Sequence, residues 1–300
     1  MDIEKEKRAI QYLRSFEPEE EPYYLCYSGG KDSDAIRILA QLAGVKHECK
    51  HNLTTVDAPE TVRYVRETIG KENIEYPKES MWQLIVKAKM PPTRAVRYCC
   101  EALKEHGGEG RLKITGVRWS ESAARKRNRG LVNIIGKEKT MRKKLAEDEV
   151  NFSLALKKGV VLSTDNAKER RFVEYCYRTT NTTINPIVDW TDRDVWEFLH
   201  HYGCESNPLY QCGNDRIGCI GCPLAGGKQM KAEFARYPKY KEAYIRAFDR
   251  MIEKRKESGL KSNKNDWING EQVMRWWVGD DPNQITIDDY LKMIREVDDD

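Results

Sequence analysis

Six consecutive residues, Ser28-Gly29-Gly30-Lys31-Asp32-Ser33, carry groups that either grip phosphate or make room for it. Paired glycines after a strand let the backbone turn tightly, so that successive N–H groups can point at one anion. Lys31 adds a cation, Ser28 and Ser33 add hydroxyl donors, and a helix beginning at Asp32 or Ser33 adds its positive end. Asp32 is the exception: its carboxylate suits a Mg²⁺ ion or a helix cap equally well. An ordinary glycine turn would account for a lone Ser-Gly-Gly, but not for the whole string between strand and helix. The spacing is also not that of the Walker loop, which places four residues between its first Gly and its Gly-Lys pair.

The second group of reactive side chains is the cysteines. Cys99 and Cys100 are adjacent, and Cys219 and Cys222 form a Cys-x-x-Cys flanked by Gly218, Gly221 and Pro223. Two thiolates three residues apart in a glycine-rich turn can converge on one metal, whereas a disulfide across the same turn would be redox-active. Cys212 is a fifth candidate. Cys26, Cys49, Cys176 and Cys204 stand alone, and Cys26 lies in an apolar run where packing is the better reading.

Composition narrows the setting. With 300 residues, 39% hydrophobic and 33% charged, the chain can bury a substantial core and has the balance of a soluble globular protein. It has no apolar run long enough to span a bilayer, and its first residues, MDIEKEKRAIQYLRSF, are charged, so a cytosolic (cytoplasmic) protein without membrane contact is expected. In that reducing compartment nine cysteines argue for metal, cluster or redox roles over a disulfide framework. A net charge of +4 does not by itself mark a nucleic-acid binder, but nine Lys or Arg against one acid, Glu138, fall between Arg125 and Lys144. A solvated surface would look the same.

Positioning the loop requires a strand before it and a helix after it. Tyr23 to Tyr27 is an apolar run of strand length, and Ile36, Leu39, Ala40 and Ala43 recur at helical spacing until Gly44 offers a C-terminal cap. Upstream, residues 4–15 read as a leader helix followed by the acidic EPEEEP linker. Downstream, strands are expected at 46–55, 73–76 and 112–117, with helices from Pro59 and over 80–88. Residues 120–170 are basic and irregular apart from the strands LVNII and VVLS. Thr191 caps a further helix with Asp194 three residues on, and Gly203 ends it. From about residue 228 the chain reads as helix rich in charge, Trp and Tyr. Strands alternating with helices give an α/β fold with a parallel sheet, and ligands outside the carboxyl ends of its strands.

In this setting SGGKDS resembles the PP-loop of the N-type ATP pyrophosphatases and of the phosphoadenylyl-sulfate (PAPS) reductase family. The segments TTVDAPET (54–61), PPTRAVRYCCEALK (91–104), ITGVRWSES (114–122), NPIVDWTDRDVWEFL (185–199) and RIGCIGCPL (216–224) agree with the PAPS reductase-like branch, so the resemblance covers roughly two thirds of the chain. It implies an adenine-nucleotide alpha-hydrolase-like sheet with helices on both faces, plus a mostly helical C-terminal segment. The implied divisions are a leader helix at 1–20, a PP-loop domain at 21–225 with a basic insertion at about 120–170 and a cysteine-rich end at 212–222, and a helical segment at 226–300. The nucleotide then falls on Ser28, Gly29, Gly30, Lys31, Asp32 and Ser33, with Gly116, Arg118 and Glu121 on a second loop and Arg125 beside it. Lys31, Asp32 and Arg118 are the implied catalytic residues. Thr55 and Asp57 are placed on the nucleoside side, although Asp57 would also serve as a cap before Pro59. A cysteine pair with a distant Cys-x-x-Cys is similar to the 4Fe-4S arrangement of adenylyl-sulfate (APS) reductases, which makes Cys99, Cys100, Cys212, Cys219 and Cys222 the candidate ligands. Zinc and free redox thiols are the alternatives.

Reductases resembling this chain attack the sulfonucleotide with a cysteine in a C-terminal Glu-Cys-Gly-x-His-like segment. Here residues 223–300 contain neither Cys nor His. The expectation is therefore a PP-loop ATP pyrophosphatase that cleaves ATP with Mg²⁺ and adenylates an acceptor for sulfur transfer, similar to the DNA phosphorothioation sulfurtransferases. A nucleic acid is the expected acceptor, with the 125–144 run and Trp276-Trp277 as contacts, and a cysteine desulfurase the expected sulfur donor. The alternatives are a PAPS or APS reductase forming sulfite, and a nucleotide-binding module without turnover.

Overall fold

A mostly parallel sheet is wound around the strand that leads into the phosphate loop. The computed structural model describes residues 2–136, 141, 145, 149–155, 159–260 and 267–280. The chain forms two compact units, one of Met1–Leu53, Pro59–Tyr76 and His106–Ile217, the other of Thr54–Ala58, Pro77–Glu105 and Gly218–Asp300. The acid-rich tail beyond Asp280 and the Lys137–Thr140 and Arg142–Lys144 parts of the basic run lie outside the described residues.

The first unit holds the sheet. Its strands are β1 (Tyr23–Cys26), β2 (His47–Asn52), β3 (Ile74–Glu75), β4 (Lys113–Ile114), β5 (Val132–Ile135), β6 (Ser153–Leu154), β7 (Val160–Leu162) and β8 (Asn181–Ile184), in the order β3-β2-β1-β4-β8-β5-β7-β6. Tyr23, Tyr24 and Leu25 are all buried, the continuous apolar pattern of a strand covered on both faces. From β3 to β8 the pairing is parallel. The chain runs β1, β2, β3 to one side and then returns to place β4 on the other side of β1, so the order reverses between β1 and β4. The crevice at the carboxyl ends of those two strands is where open α/β sheets bind ligands.

The α/β expectation holds, with one correction: the sheet is not parallel throughout. The expected strands LVNII and VVLS form as β5 and β7, but they pair antiparallel, with β6 beyond them, and so build the far half of the sheet from the stretch read as irregular. Antiparallel neighbours need only short connections, such as the one from Leu154 to Val160, whereas parallel neighbours need a crossover of a dozen residues or more. β8 was not expected. Its sequence NTTI buries Thr182 and Ile184, and only Ile184 of the four side chains carries an apolar signal.

Helix Lys31–Ala43 buries Ile36, Leu39, Ala40 and Ala43, and ends at Gly44 with φ 70°, as its spacing predicts. It packs with helix Ile3–Ser15, capped by Asp2, and with helix Asp192–His201. The latter starts with the expected reciprocal cap, in which the Thr191 hydroxyl accepts from the Asp194 amide and the Asp194 carboxylate accepts from the Thr191 amide.

The second unit, among its described residues, is helical: Met81–Ala88, Tyr98–Leu103, Gly227–Arg236, Pro238–Glu257 and Gly270–Val278. Its core is aromatic. Tyr244 meets Trp82 and Trp277 at centroid distances of 4.8 Å each, and Phe248 meets Trp277 at 5.4 Å. Trp277 donates its indole N–H to the Pro92 carbonyl at 2.6 Å, so this residue serves packing and its face is not open to a base. Trp276 sits beside Trp267 at 5.1 Å. No described helix is long and apolar enough to cross a membrane.

Candidate functional site

At the end of β1 the chain enters the loop through two glycines of different character. Gly29 has φ 74°, and a Cβ there would stand 2.7 Å from Val65 Cγ2, so both conformation and space require glycine. Gly30 is extended, at φ −106°, and a Cβ there would stand 3.3 Å from the Tyr210 hydroxyl. The Ser33 hydroxyl donates to the Gly30 carbonyl at 2.7 Å and accepts from the Gly30 amide at 3.1 Å, which fixes the turn into the helix. Ser28 donates to Ser33 at 3.3 Å. The six expected loop residues are thus brought together at the amino end of helix Lys31–Ala43, where helix dipole and backbone donors favour an anion.

The second expected loop meets them there. Gly116, just beyond β4, packs so closely on the first helical turn that a Cβ would lie 2.9 Å from Asp32 Cβ and from its carbonyl oxygen. Arg118 is only 1% exposed and acts as a hub: Nε donates to Asp32 at 2.7 Å, one terminal nitrogen to Asp192 at 2.7 Å, and the other to the Ser120 hydroxyl at 2.7 Å and the Trp190 carbonyl at 3.3 Å. The sequence placed Arg118 against the ligand. In the structure its guanidinium makes four hydrogen bonds to protein groups and holds two carboxylates in place. Glu121 accepts from the Arg118 amide at 3.2 Å and pairs with Arg125, so it shapes this turn.

Charge at the loop is nearly balanced. Burial pushes the Asp32 carboxyl above its ordinary range, opposed by Arg118 and Lys31. At Asp192 burial works in the same direction, but the hydrogen bond and charge of Arg118, with Lys31, win and hold the carboxyl below its ordinary value. The Lys31 ammonium lies 3.4 Å from Asp192 and donates to the Asp215 carbonyl at 3.2 Å.

Several contributors were missed in the sequence. Asp34 is fully buried, accepts from Tyr27 at 2.5 Å and Tyr64 at 3.0 Å, and is pushed by burial to about 6 against those two bonds. Asn207, also fully buried, donates to the Gly29 carbonyl at 3.0 Å and to Thr61 at 3.2 Å. Tyr210 takes the Lys31 amide on its hydroxyl at 2.9 Å. The Asn-Pro dipeptide at 207–208 is a turn signal, which could have pointed to this segment. Nothing in its local pattern says which loop it reaches.

The remaining expected residues, Cys212 apart, belong to the second unit, and there Thr55 and Asp57 serve the backbone. The Thr55 hydroxyl accepts from the Met81 amide at 3.0 Å, and Thr55 itself sits at φ 64°, a strained position for a β-branched residue. Asp57 accepts from the Thr54 amide at 2.6 Å and bridges in antiparallel fashion to Cys219.

Four of the five candidate cysteines come together in this unit. Cys219 donates to Thr54 at 3.3 Å, and the turn it opens is pinned by Ile220 N–H to the Val56 carbonyl at 2.8 Å and Cys222 N–H to the Cys219 carbonyl at 3.2 Å. Cys99 hydrogen-bonds to Cys100, which raises the first thiol and lowers the second, and it feels the charges of Cys219 and Cys222. Burial pushes the Cys219 thiol up, and Lys104 opposes it. Cys212 is an exposed residue of the first unit. Among the described residues no group of three or more His, Cys, Asp or Glu is arranged to hold a metal ion. The donor set of four thiols nevertheless suits thiolate-ligated iron or zinc.

Comparison with known proteins follows the same lines. An uncharacterised protein of Methanocaldococcus jannaschii is 26% identical over 263 residues, covering 83% of this chain and 46% of the relative. An adenosine 5'-phosphosulfate reductase of Bacillus cytotoxicus is 28% identical over 74 residues, 25% of this chain and 32% of that protein. The chain spans about half the length, or less, of the first curated relatives it matches. The crystal structure of a PAPS reductase from Candida auris, a phosphate complex, aligns with 15% identity over 70% of this chain and 87% of its own, at a TM-score of 0.42. The phosphoadenosine phosphosulfate reductase domain matches residues 22–225, the span that carries both the phosphate loop and the Cys-x-x-Cys turn, and the chain belongs to that family.

Proposed function

We propose that this member of the family cleaves ATP between its α and β phosphates and adenylates an acceptor for sulfur transfer. The observation that carries the reading is the Lys31–Asp32–Asp192–Arg118 constellation at the amino end of a helix, in the crevice where strand order reverses. A polyphosphate here would meet loop amides and the Lys31 ammonium, which neutralise charge growing on pyrophosphate as an acceptor oxygen attacks the α phosphorus and the α–β bond breaks. Asp32 and Asp192 are the carboxylates that would hold Mg²⁺, and Arg118 keeps both in register.

Cys99, Cys100, Cys219 and Cys222 would hold a 4Fe-4S cluster, with zinc as the alternative occupant. When bound, the cluster supplies a centre for sulfur delivery. The chain's own residues place those thiols: Thr54, Val56 and Lys104 fix the Cys219 turn, and the Cys99–Cys100 hydrogen bond favours the thiolate at Cys100. A nucleic-acid acceptor agrees with Arg125, Lys126, Arg127 and Arg129, the described part of the basic run. A cysteine desulfurase fits as sulfur source.

The test is incubation with radiolabelled ATP and DNA or tRNA. AMP and pyrophosphate are expected. Thioredoxin-dependent sulfite release from PAPS or APS, without pyrophosphate from ATP, would replace this reading with a reductase. Nucleotide binding with no turnover of either kind would leave a binding module.

A further inference from the structure

The segment after helix Asp192–His201 reaches back over the phosphate loop. Asn207 anchors one end through the Gly29 carbonyl and Thr61. From there Pro208–Tyr210 forms a tight turn, and the Tyr210 hydroxyl accepts from the Lys31 amide and lies 3.3 Å from where a Gly30 Cβ would stand. The Lys31 ammonium lies 5.6 Å from the ring centroid, and Asp215 at the far end accepts from it.

A backbone amide at a helix amino end, flanked by glycine and next to a lysine, is the donor an anionic oxygen takes. Here a neutral phenol oxygen takes it instead, and burial raises the Tyr210 hydroxyl so that it stays protonated. The phenol makes an ordinary bond where a phosphate would make a charge-assisted one. Room for displacement exists. Tyr210 lines a cavity of about 980 Å³ with Trp196, His200 and Pro208, and Trp196 meets its ring edge-on at 4.9 Å. Gly213, at φ 81° with open space where a Cβ would be, gives the segment a pliant point opposite the Asn207 anchor.

We propose that Tyr210 is a positioning residue of the loop: its hydroxyl stands where an anion oxygen accepts from the Lys31 amide, and gives way to pyrophosphate while Asn207 stays fixed. The inference rests on the anion-binding reading of the loop and adds a competitor to it. Occupancy of the Lys31 amide then sets how tightly an anion must bind to be held, which screens out weak ones.

Calorimetry with inorganic pyrophosphate on the full chain separates the two layers. Tyr210→Phe should bind roughly fivefold tighter than wild type, the worth of one ordinary hydrogen bond, because the ring and its packing on Trp196 remain. A purely structural tyrosine would lose affinity. Lys31→Ala should weaken binding. Unchanged or weaker binding by Tyr210→Phe, with Lys31→Ala still impaired, overturns the Tyr210 inference and leaves the loop reading standing. No pyrophosphate binding by wild type overturns the loop reading and this inference with it. Hydrogen exchange gives a second readout: amides of residues 209–215 should exchange faster with pyrophosphate present, and slower exchange would mean that the segment clamps the anion instead of yielding to it.

Discussion

The turn of the phosphate loop is set by neighbours in sequence and braced from outside by Asn207, Tyr210 and Arg118, whereas the cysteine region is assembled wholly from segments far apart in sequence. In the loop the determinants are contiguous: a left-handed Gly29, an extended Gly30 and a Ser33 hydroxyl bonded to both polar groups of Gly30. Around the cysteines, the 99–100 pair sits on a short helix, the 219–222 pair on a turn, and that turn depends on Thr54, Val56 and Glu233 for its hydrogen bonds. A turn built from contiguous residues has its determinants in one short segment. A side-chain-built site exists only once the surrounding packing does, so the two should fail differently when perturbed.

The largest difference is expected in metal content. Cys219→Ser or Cys222→Ser should remove nearly all iron and sulfide from anaerobically purified protein, while Cys212→Ser and Cys26→Ser retain it. Equal loss in Cys212→Ser would overturn the four-thiol ligand set of the second unit. Next comes Arg118→Leu, which strips the buried partner from Asp32 and Asp192 and should cost about 3–5 kcal/mol of stability. A denaturation midpoint close to wild type would show that this hub does not hold the loop.

A pH effect of similar size is expected at Asp34. Its carboxyl rises from 3.8 to about 6 on folding, so between those values the native state keeps a proton that the unfolded chain has lost. The stability it contributes is complete below about pH 4 and is lost as pH rises through 6, on the order of 3 kcal/mol in all. Asp34→Asn should remove that slope. Urea midpoints for variant and wild type that run parallel from pH 4 to 7 would refute it. The smallest effect compares two glycines in the same backbone region. Gly44→Ala meets no neighbour, whereas Gly29→Ala meets Val65, so the second should be roughly 1–3 kcal/mol more destabilising by thermal melting. Equal losses would mean that space around the loop is not limiting.

Legibility in the sequence follows the same division. The strand, loop and helix from Tyr23 to Gly44 were readable because apolar periodicity, glycine and cap follow one another without a gap. The cysteines were readable as donors by type, yet Cys212 could not be separated from Cys219 and Cys222 by spacing, since membership depends on which compact unit a residue joins. Thr55 and Asp57 follow β2 in sequence, and this suggested the nucleoside side. Their hydrogen bonds to Met81 and Thr54 could be seen only in the folded chain. Asn207 and Tyr210 were invisible for the opposite reason, being distant in sequence from the loop they touch.

Among the described residues the sheet ends at both edges in strands of two residues, Ile74–Glu75 on one side and Ser153–Leu154 on the other. An edge strand is a template for a foreign strand, and its hazard grows with the number of consecutive unpaired donors and acceptors it offers. Two residues offer too few to seed a ladder. The long hydrogen-bonded rows of β2, β8 and β5 are all interior to the sheet, so neither rim offers a foreign strand a long ladder to extend.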